Sequence, residues 1–137
     1  MFLVDTNVLS ELRRPERADP RVAKWAGAVP VEQFFLSVIS LLELERGALR
    51  IARRDETQGR VLRAWIDGQI RVRFENRILP IDSAMALRCA ALQIPDPRPE
   101  RDALIAATAL VHGMTVVTRN VDDFADMGVK LLNPWAI

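Results

Sequence analysis

The sequence contains no tyrosine, and only one cysteine and one histidine among its 137 residues. A single cysteine excludes an internal disulfide and is typical of proteins from a reducing compartment. Zinc sites and Cys–His catalysis use several such side chains, so Cys89 and His112 give that chemistry poor support. Cys89, inside MALRCAAL, is predicted to be a small buried hydrophobe, and His112 to end a helix.

Long apolar runs are also absent. No stretch approaches the roughly 20 apolar residues that a membrane-spanning helix needs. Asp5 interrupts the first apolar residues, so the N-terminus does not resemble a secretory leader. Because neither a membrane span nor a leader is predicted, we expect a cytoplasmic protein that has no membrane partner.

A glycine-rich phosphate loop and the G-x-S-x-G context of a serine nucleophile are missing too.

The residues that are present predict one globular domain spanning 1–137. Apolar residues make up 50% and charged residues 27% of the chain. The net charge of +1 hides an asymmetry, because 17 of the 19 basic residues are arginine and nine of these lie between Arg46 and Arg77. Arginine suits bidentate contact with phosphate. A solvated helix face, or a face for an acidic partner, is an equally good interpretation.

Short apolar runs alternate with helical stretches. Strands are predicted at FLVD, QFFLS, RILPID, TVVT and KLLN. Helices are predicted at TNVLSELRR, DPRVAKWAGA, residues 39–53, Asp55 to about Val72, SAMALRCAAL and RDALIAATALVHG, with VDDFADM as a short helix or turn. This alternation predicts a three-layer α/β/α domain with a parallel sheet. In such sheets, sites gather at the carboxyl ends of the strands.

Acidic residues stand where a buried carboxylate would need a partner. Asp5 ends the first strand, Asp122 and Asp123 follow TVVT, and Asp102 lies at the head of the last long helix. Taken singly, each is explained as a helix N-cap. If several converge, they repel one another without a cation. Oxygen-only ligands of this kind suit Mg²⁺ or Mn²⁺.

Glu43 differs because it lies in the middle of a predicted helix. Steps of 100° per residue place it outside the apolar arc, beside Arg50 and Gly47, where the glycine would permit a close approach. The same phase places Glu45 within the apolar arc. Glu45 must therefore extend to solvent, pair with an arginine, or indicate a different phase. Both glutamates remain candidates for the functional acid.

Four motifs together resemble the PIN-domain ribonucleases, in particular the VapC-type toxins. They are LVDTNVLSEL, SVISLLELERG, RDALIAATAL and TVVTRNVDDF, in that order, and the ending LLNPWAI resembles the FitB-like, plasmid-stability branch. The resemblance maps the family acids onto Asp5, Glu43 and Asp102. The fourth motif departs from the pattern, because Asn120 stands where some members carry aspartate and Asp123 follows three residues later.

The resemblance implies a PIN-like fold with a five-stranded parallel sheet, a homodimer, a higher toxin–antitoxin assembly and a cognate antitoxin that inserts a segment into the active-site groove. It predicts a metal-dependent endoribonuclease that acts as the toxin of a type II toxin–antitoxin system. Asp5, Glu43 and Asp102 would hold one Mg²⁺ or Mn²⁺, and Asp123 or Asn120 would support a second. Without metal, the same carboxylates would surround water or an arginine.

Further residues are assigned roles around these acids. Glu43 or Asp123 would orient or deprotonate the attacking water. Supporting positions near the carboxylates are predicted for Thr6, Asn7, Thr118 and Asn120. Contacts with RNA or antitoxin are predicted for Arg46, Arg50 and Arg119.

Two other functions compete with this prediction. A haloacid dehalogenase-type phosphatase also opens with an apolar strand and an aspartate, but it needs a second aspartate at the position of Asn7. A PIN fold that binds RNA or a protein without catalysis is the alternative from another class. Metal-dependent hydrolysis that disappears in Asp5→Asn would separate the enzyme from the binding module.

Overall fold

The computed structural model describes residues 1–137, and a five-stranded parallel sheet forms its middle layer. The strands are β1 (Phe2–Val4), β2 (Phe34–Ser37), β3 (Ile78–Leu79), β4 (Thr115–Val117) and β5 (Leu131–Leu132), in the spatial order β3-β2-β1-β4-β5. In register, Phe2 pairs with Phe34 on one side and with Thr115 on the other. The predicted α/β class and parallel sheet are confirmed.

The helices follow the predicted alternation. They are α1 (Thr6–Leu12), α2 (Pro20–Ala28), α3 (Val38–Arg54), α4 (Glu56–Trp65), α5 (Arg71–Arg73), α6 (Ser83–Leu92) and α7 (Glu100–His112). A π-helical turn, Ile66–Ile70, joins α4 to α5, so the stretch predicted to reach Val72 is one continuous helical path. None of the helices combines the length and the apolar character that crossing a membrane requires.

Aspartates begin several helices by accepting hydrogen bonds from free backbone N–H groups. Asp19 caps α2, Asp55 caps α4 and Asp82 caps α6. The hydrogen bonds between Asp19 and Arg21 lower the pKa of Asp19 to about 2. The N-cap interpretation is wrong for Asp102, because α7 begins two residues earlier, at Glu100.

The VDDFADM stretch corrects a second N-cap interpretation. It forms a 3₁₀ turn at Val121–Phe124 that Asn120 precedes. Asp122 and Asp123 therefore lie inside the turn and not before it. Neither of them acts as an N-cap.

Successive residues of each strand point to opposite faces of the sheet, which divides the core in two. Val4 and Val117 pack on one face with residues of α1–α4 such as Val8 and Trp65. Leu3 packs on the other face with α7 residues such as Ile105. Behind α7, Cys89 is buried against Ala103 and Ala107, as predicted for a small hydrophobe. The three-layer arrangement follows from this division.

Helices α3 and α4 form an antiparallel pair that packs most closely at Gly59. A Cβ at Gly59 would lie 2.5 Å from Cβ of Ala52, so only glycine fits there. The close approach predicted at Gly47 is wrong, because a Cβ at that position meets nothing within 4 Å. Both glycines lie in helices, but only the packing of α3 against α4 shows that Gly59 is the one that the close contact requires.

Candidate functional site

Asp5 lies at the carboxyl end of the central strand β1 and is 1% exposed. Its backbone N–H donates to the carbonyl of Val117 at 2.9 Å, which continues the ladder toward β4. Its Oδ1 accepts from the N–H of Thr6 at 2.8 Å and caps α1. Asp5 is therefore a helix cap and, at the same time, a buried carboxylate at the edge where sites gather.

Thr118 fixes the other oxygen of this carboxylate. Its hydroxyl donates to Oδ2 of Asp5 at 2.8 Å. The same hydroxyl accepts from Nδ2 of Asn7 at 3.2 Å and from the backbone N–H of Asn120 at 3.1 Å. Asn7 also accepts from the N–H of Arg119 at 3.3 Å. The structure thus brings the predicted supporting residues together around Asp5.

Arg101 joins Asp5 to the two other predicted acids. Its Nε and Nη2 donate to Glu43 at 3.0 and 2.9 Å, and its Nη1 donates to Oδ1 of Asp102 at 3.0 Å. Nη2 also binds Oδ1 of Asp5. Helices α3 and α7 supply Glu43 and Asp102, so the three carboxylates surround one guanidinium at the carboxyl edge of the sheet.

The charges of this group are strongly coupled. Burial alone would lower the pKa of Arg101, but its hydrogen bonds to Glu43 and Asp5 outweigh that effect and raise the pKa above the usual range. Burial raises the pKa of Asp102, against the opposing effect of Arg101, and the charges of Asp123 and Asp5 raise it further. Three carboxylates face one cation, so the site carries excess negative charge.

The two candidate glutamates on α3 are separated by the structure. Glu43 belongs to the group around Arg101. Glu45 forms an ion pair with Arg63 of α4, with Nη1 and Oε1 3.1 Å apart. Pairing with an arginine was one of the three predicted solutions for Glu45. It leaves Glu43 as the acid that faces the site.

The remaining predicted residues lie outside this group. Asp123 is exposed on the 3₁₀ turn, and its negative charge contributes to the raised pKa of Asp102. Arg46 and Arg50 are exposed on α3. The guanidinium of Arg119 lies 5.2 Å from the ring centroid of Trp135.

Arg101 is the residue that sequence reasoning missed. It occupies the first turn of α7, where the helix dipole disfavours a cation. Two acidic neighbours in the same turn, Glu100 and Asp102, satisfy that preference. An arginine in such a position needs acidic partners from elsewhere in the fold. Its position in the first turn is therefore the sequence feature that indicates a role for Arg101 in the site.

The chemical type of the oxygen donors suits a divalent cation. Carboxylate oxygens are the ligands that Mg²⁺ and Mn²⁺ prefer, and the site already gathers three carboxylates around positive charge. In the present arrangement no group of three or more acidic, cysteine or histidine side chains is spaced to hold a metal ion. The guanidinium lies between the carboxylates and separates them.

The protein is therefore of the α/β class. Its candidate site lies at the carboxyl edge of a parallel sheet, where acidic residues surround the guanidinium of Arg101. The PIN domain profile matches residues 2–130. The chain belongs to the PIN-domain family.

Individual relatives agree with this assignment. Toxin FitB of Neisseria gonorrhoeae is 34% identical over 98% of this chain and 99% of its own length. The crystal structure of FitAcB from that bacterium has a TM-score of 0.90 and 33% identity, and the match covers 100% of both chains. VapC ribonuclease Y4jK of Sinorhizobium fredii is 33% identical over 98% of each chain. A toxin-antitoxin complex from Klebsiella pneumoniae matches with a TM-score of 0.69 at 27% identity, covering 100% of both chains.

Proposed function

We propose that this protein is an endoribonuclease that hydrolyses RNA phosphodiester bonds with Mg²⁺ or Mn²⁺ and acts as the toxin of a type II toxin–antitoxin system. The observation that carries the proposal is the convergence of Asp5, Glu43 and Asp102 on one cation at the carboxyl edge of the sheet. Relatives named as a toxin and as a VapC ribonuclease, similar over nearly the whole chain, support the substrate and the role.

The metal-binding residues in this proposal are Asp5, Glu43 and Asp102. A divalent ion held there would supply positive charge for the phosphodiester and would make water more acidic. Asp5 is held by Thr6 and Thr118, so its carboxylate is preorganised. The predicted second ion would be supported by Asp123 or Asn120.

The chain's own residues then position the substrate and move the proton. A cavity of about 430 Å³ lies beside the site, and Thr6, Arg13 and Glu43 are among its lining residues. RNA in this cavity would present a phosphodiester to the acids, with Arg13 near its phosphates. Glu43 lines the cavity and would accept a proton of the attacking water as the oxygen of that water bonds to phosphorus. The bond from phosphorus to the leaving oxygen would break, and solvent would protonate that oxygen. Asp123 remains the alternative base.

The assembly follows from the same proposal. We extend it to a cognate antitoxin, which the match to a toxin-antitoxin complex from Klebsiella pneumoniae supports. We also extend it to a homodimer, which the family resemblance alone implies. We also place the reaction in the cytoplasm, where a single cysteine stays reduced. The phosphatase alternative gains no support, because Asn7 takes the place of the second aspartate and is hydrogen-bonded to Thr118 and to the backbone of Arg119.

The test is cleavage of an end-labelled RNA by the purified protein in Mn²⁺ and in EDTA. Asp5→Asn should abolish cleavage, because it removes the charge of one of the three carboxylates that would bind the ion. Asp19→Asn is the matched control, since Asp19 is also an N-cap aspartate but lies outside the site. Cleavage in EDTA, or by a folded Asp5→Asn protein at the wild-type rate, would contradict the proposal. RNA binding without cleavage by the wild type would favour the binding module.

A further inference from the structure

We propose that Arg101 is an internal competitor for the divalent ion, so that the guanidinium and the ion occupy the same carboxylates in turn. The inference rests on the proposed function, since it takes the ion of that function as the ligand. Arg101 belongs to this chain, and its position controls entry of the ion. In this role Arg101 keeps the site closed until an ion displaces it.

The hydrogen bonds of Arg101 consume the oxygens that an ion would need. Four hydrogen bonds run from its guanidinium to Glu43, Asp5 and Asp102, with a bidentate contact to Glu43. Because these bonds are charge-assisted, they hold the side chain more firmly than neutral ones would. A divalent ion at the same oxygens would meet the positive charge of the guanidinium at close range. The two cations therefore exclude each other.

The surroundings allow the guanidinium of Arg101 to move away from the carboxylates while α7 stays folded. Its side chain is 30% exposed, compared with 1% for Asp5 and 11% for Asp102. It lies in the first turn of α7, whose dipole favours the departure of a cation. The guanidinium thus rotates toward solvent while the carboxylates stay in place. The apparent affinity for the ion falls in proportion to the fraction of molecules in which Arg101 is out.

The first test is a calorimetric titration of Mn²⁺ into the wild type and Arg101→Ala. Since the ion no longer has to displace four hydrogen bonds, Arg101→Ala should bind Mn²⁺ at least about tenfold more tightly. Arg63→Ala is the matched control, because it also removes an arginine that pairs with an acid of α3 but leaves the site intact. Its Mn²⁺ affinity should equal that of the wild type. Equal affinities for all three proteins would overturn the inference.

The second test uses the wild type and so does not depend on the folding of Arg101→Ala. The Nε–H resonance of Arg101 is identified by its absence in Arg101→Lys and followed during titration with Mg²⁺. It should shift and lose its protection from exchange with water as Mg²⁺ saturates the site. A resonance that stays unchanged at saturation would overturn the inference.

The outcomes also separate the inference from the proposed function. Mn²⁺ binding with equal affinity, together with Mn²⁺-dependent cleavage of RNA, would overturn the inference alone. No Mn²⁺ binding by any variant, together with no cleavage, would overturn both.

Discussion

Replacing Thr118 by valine should destabilise the protein by about 2–4 kcal/mol. Valine keeps the size of the side chain but removes a hydroxyl that is fully buried and makes three hydrogen bonds. The largest loss is the bond to Oδ2 of Asp5, because a buried charged acceptor without its donor costs roughly 1.5–3 kcal/mol. The N–H of Asn120 adds less, since Asn120 is exposed and water can replace the lost acceptor.

Thr108→Val is the matched control. Thr108 is equally buried, but its hydroxyl donates to the carbonyl of Leu104 within α7 at 2.8 Å and otherwise meets only the sulfur of Met85. That carbonyl keeps its helical hydrogen bond, so the expected cost is below about 1 kcal/mol.

The measurement is urea unfolding of both variants in EDTA, followed by circular dichroism. A second readout is Mn²⁺ affinity, which Thr118→Val should lower because Asp5 is no longer held in place, and which Thr108→Val should leave unchanged. If both variants lose the same small free energy and bind Mn²⁺ equally well, then the Thr118 hydroxyl does not organise the site.

Two further predictions concern the α3–α4 region. Gly59→Ala should lower the free energy of unfolding by about 1–3 kcal/mol, because the new Cβ collides with Ala52. Gly47→Ala should raise it by up to about 1 kcal/mol, because alanine favours the helix and its Cβ meets nothing. Equal midpoints of unfolding in urea for the two variants would contradict this packing. Arg50→Ala should weaken binding of single-stranded RNA and of the antitoxin. The plot of log binding constant against log salt concentration for RNA should become less steep by about 0.7, the value for one lost phosphate contact. Arg60, exposed and paired with Glu56, provides the Ala control, and an unchanged slope for Arg50→Ala would assign Arg50 to a solvated surface.

The periodicity of the sequence predicted most of the fold because strands and helices here carry different apolar patterns. The run RDALIAATALVHG, apolar nearly all round, corresponds to α7, whose middle is buried. Local geometry was harder to predict. The N-cap interpretation failed for Asp102 because two preceding residues, Glu100 and Arg101, already belong to the helix. The wrong prediction of a close approach at Gly47 has a similar cause, since contact between two helices depends on their relative placement.

The site could be predicted only as far as backbone position determines it. The end of the first strand was enough to single out Asp5, but helix phase left both Glu43 and Glu45 open, and only the family resemblance favoured Glu43. The structure brings Asp5 and Glu43 to one guanidinium. The identity of that guanidinium was not predictable. Arg101 is 96 residues from Asp5 and 58 from Glu43, and a long side chain can extend in many directions from the same backbone position.

The central place of β1 in the sheet affects when the site can form during synthesis. Asp5 emerges from the ribosome early, but its hydrogen-bond partner Thr118 follows 113 residues later, and β4 must also be made before β1 is enclosed. Contacts this distant form only after the intervening chain has closed into a loop. A growing chain that has not yet reached Asp102 therefore lacks both the third acid and the neighbouring strand. Under the proposed function, the chain would not be able to cleave its own messenger RNA until its synthesis is nearly finished.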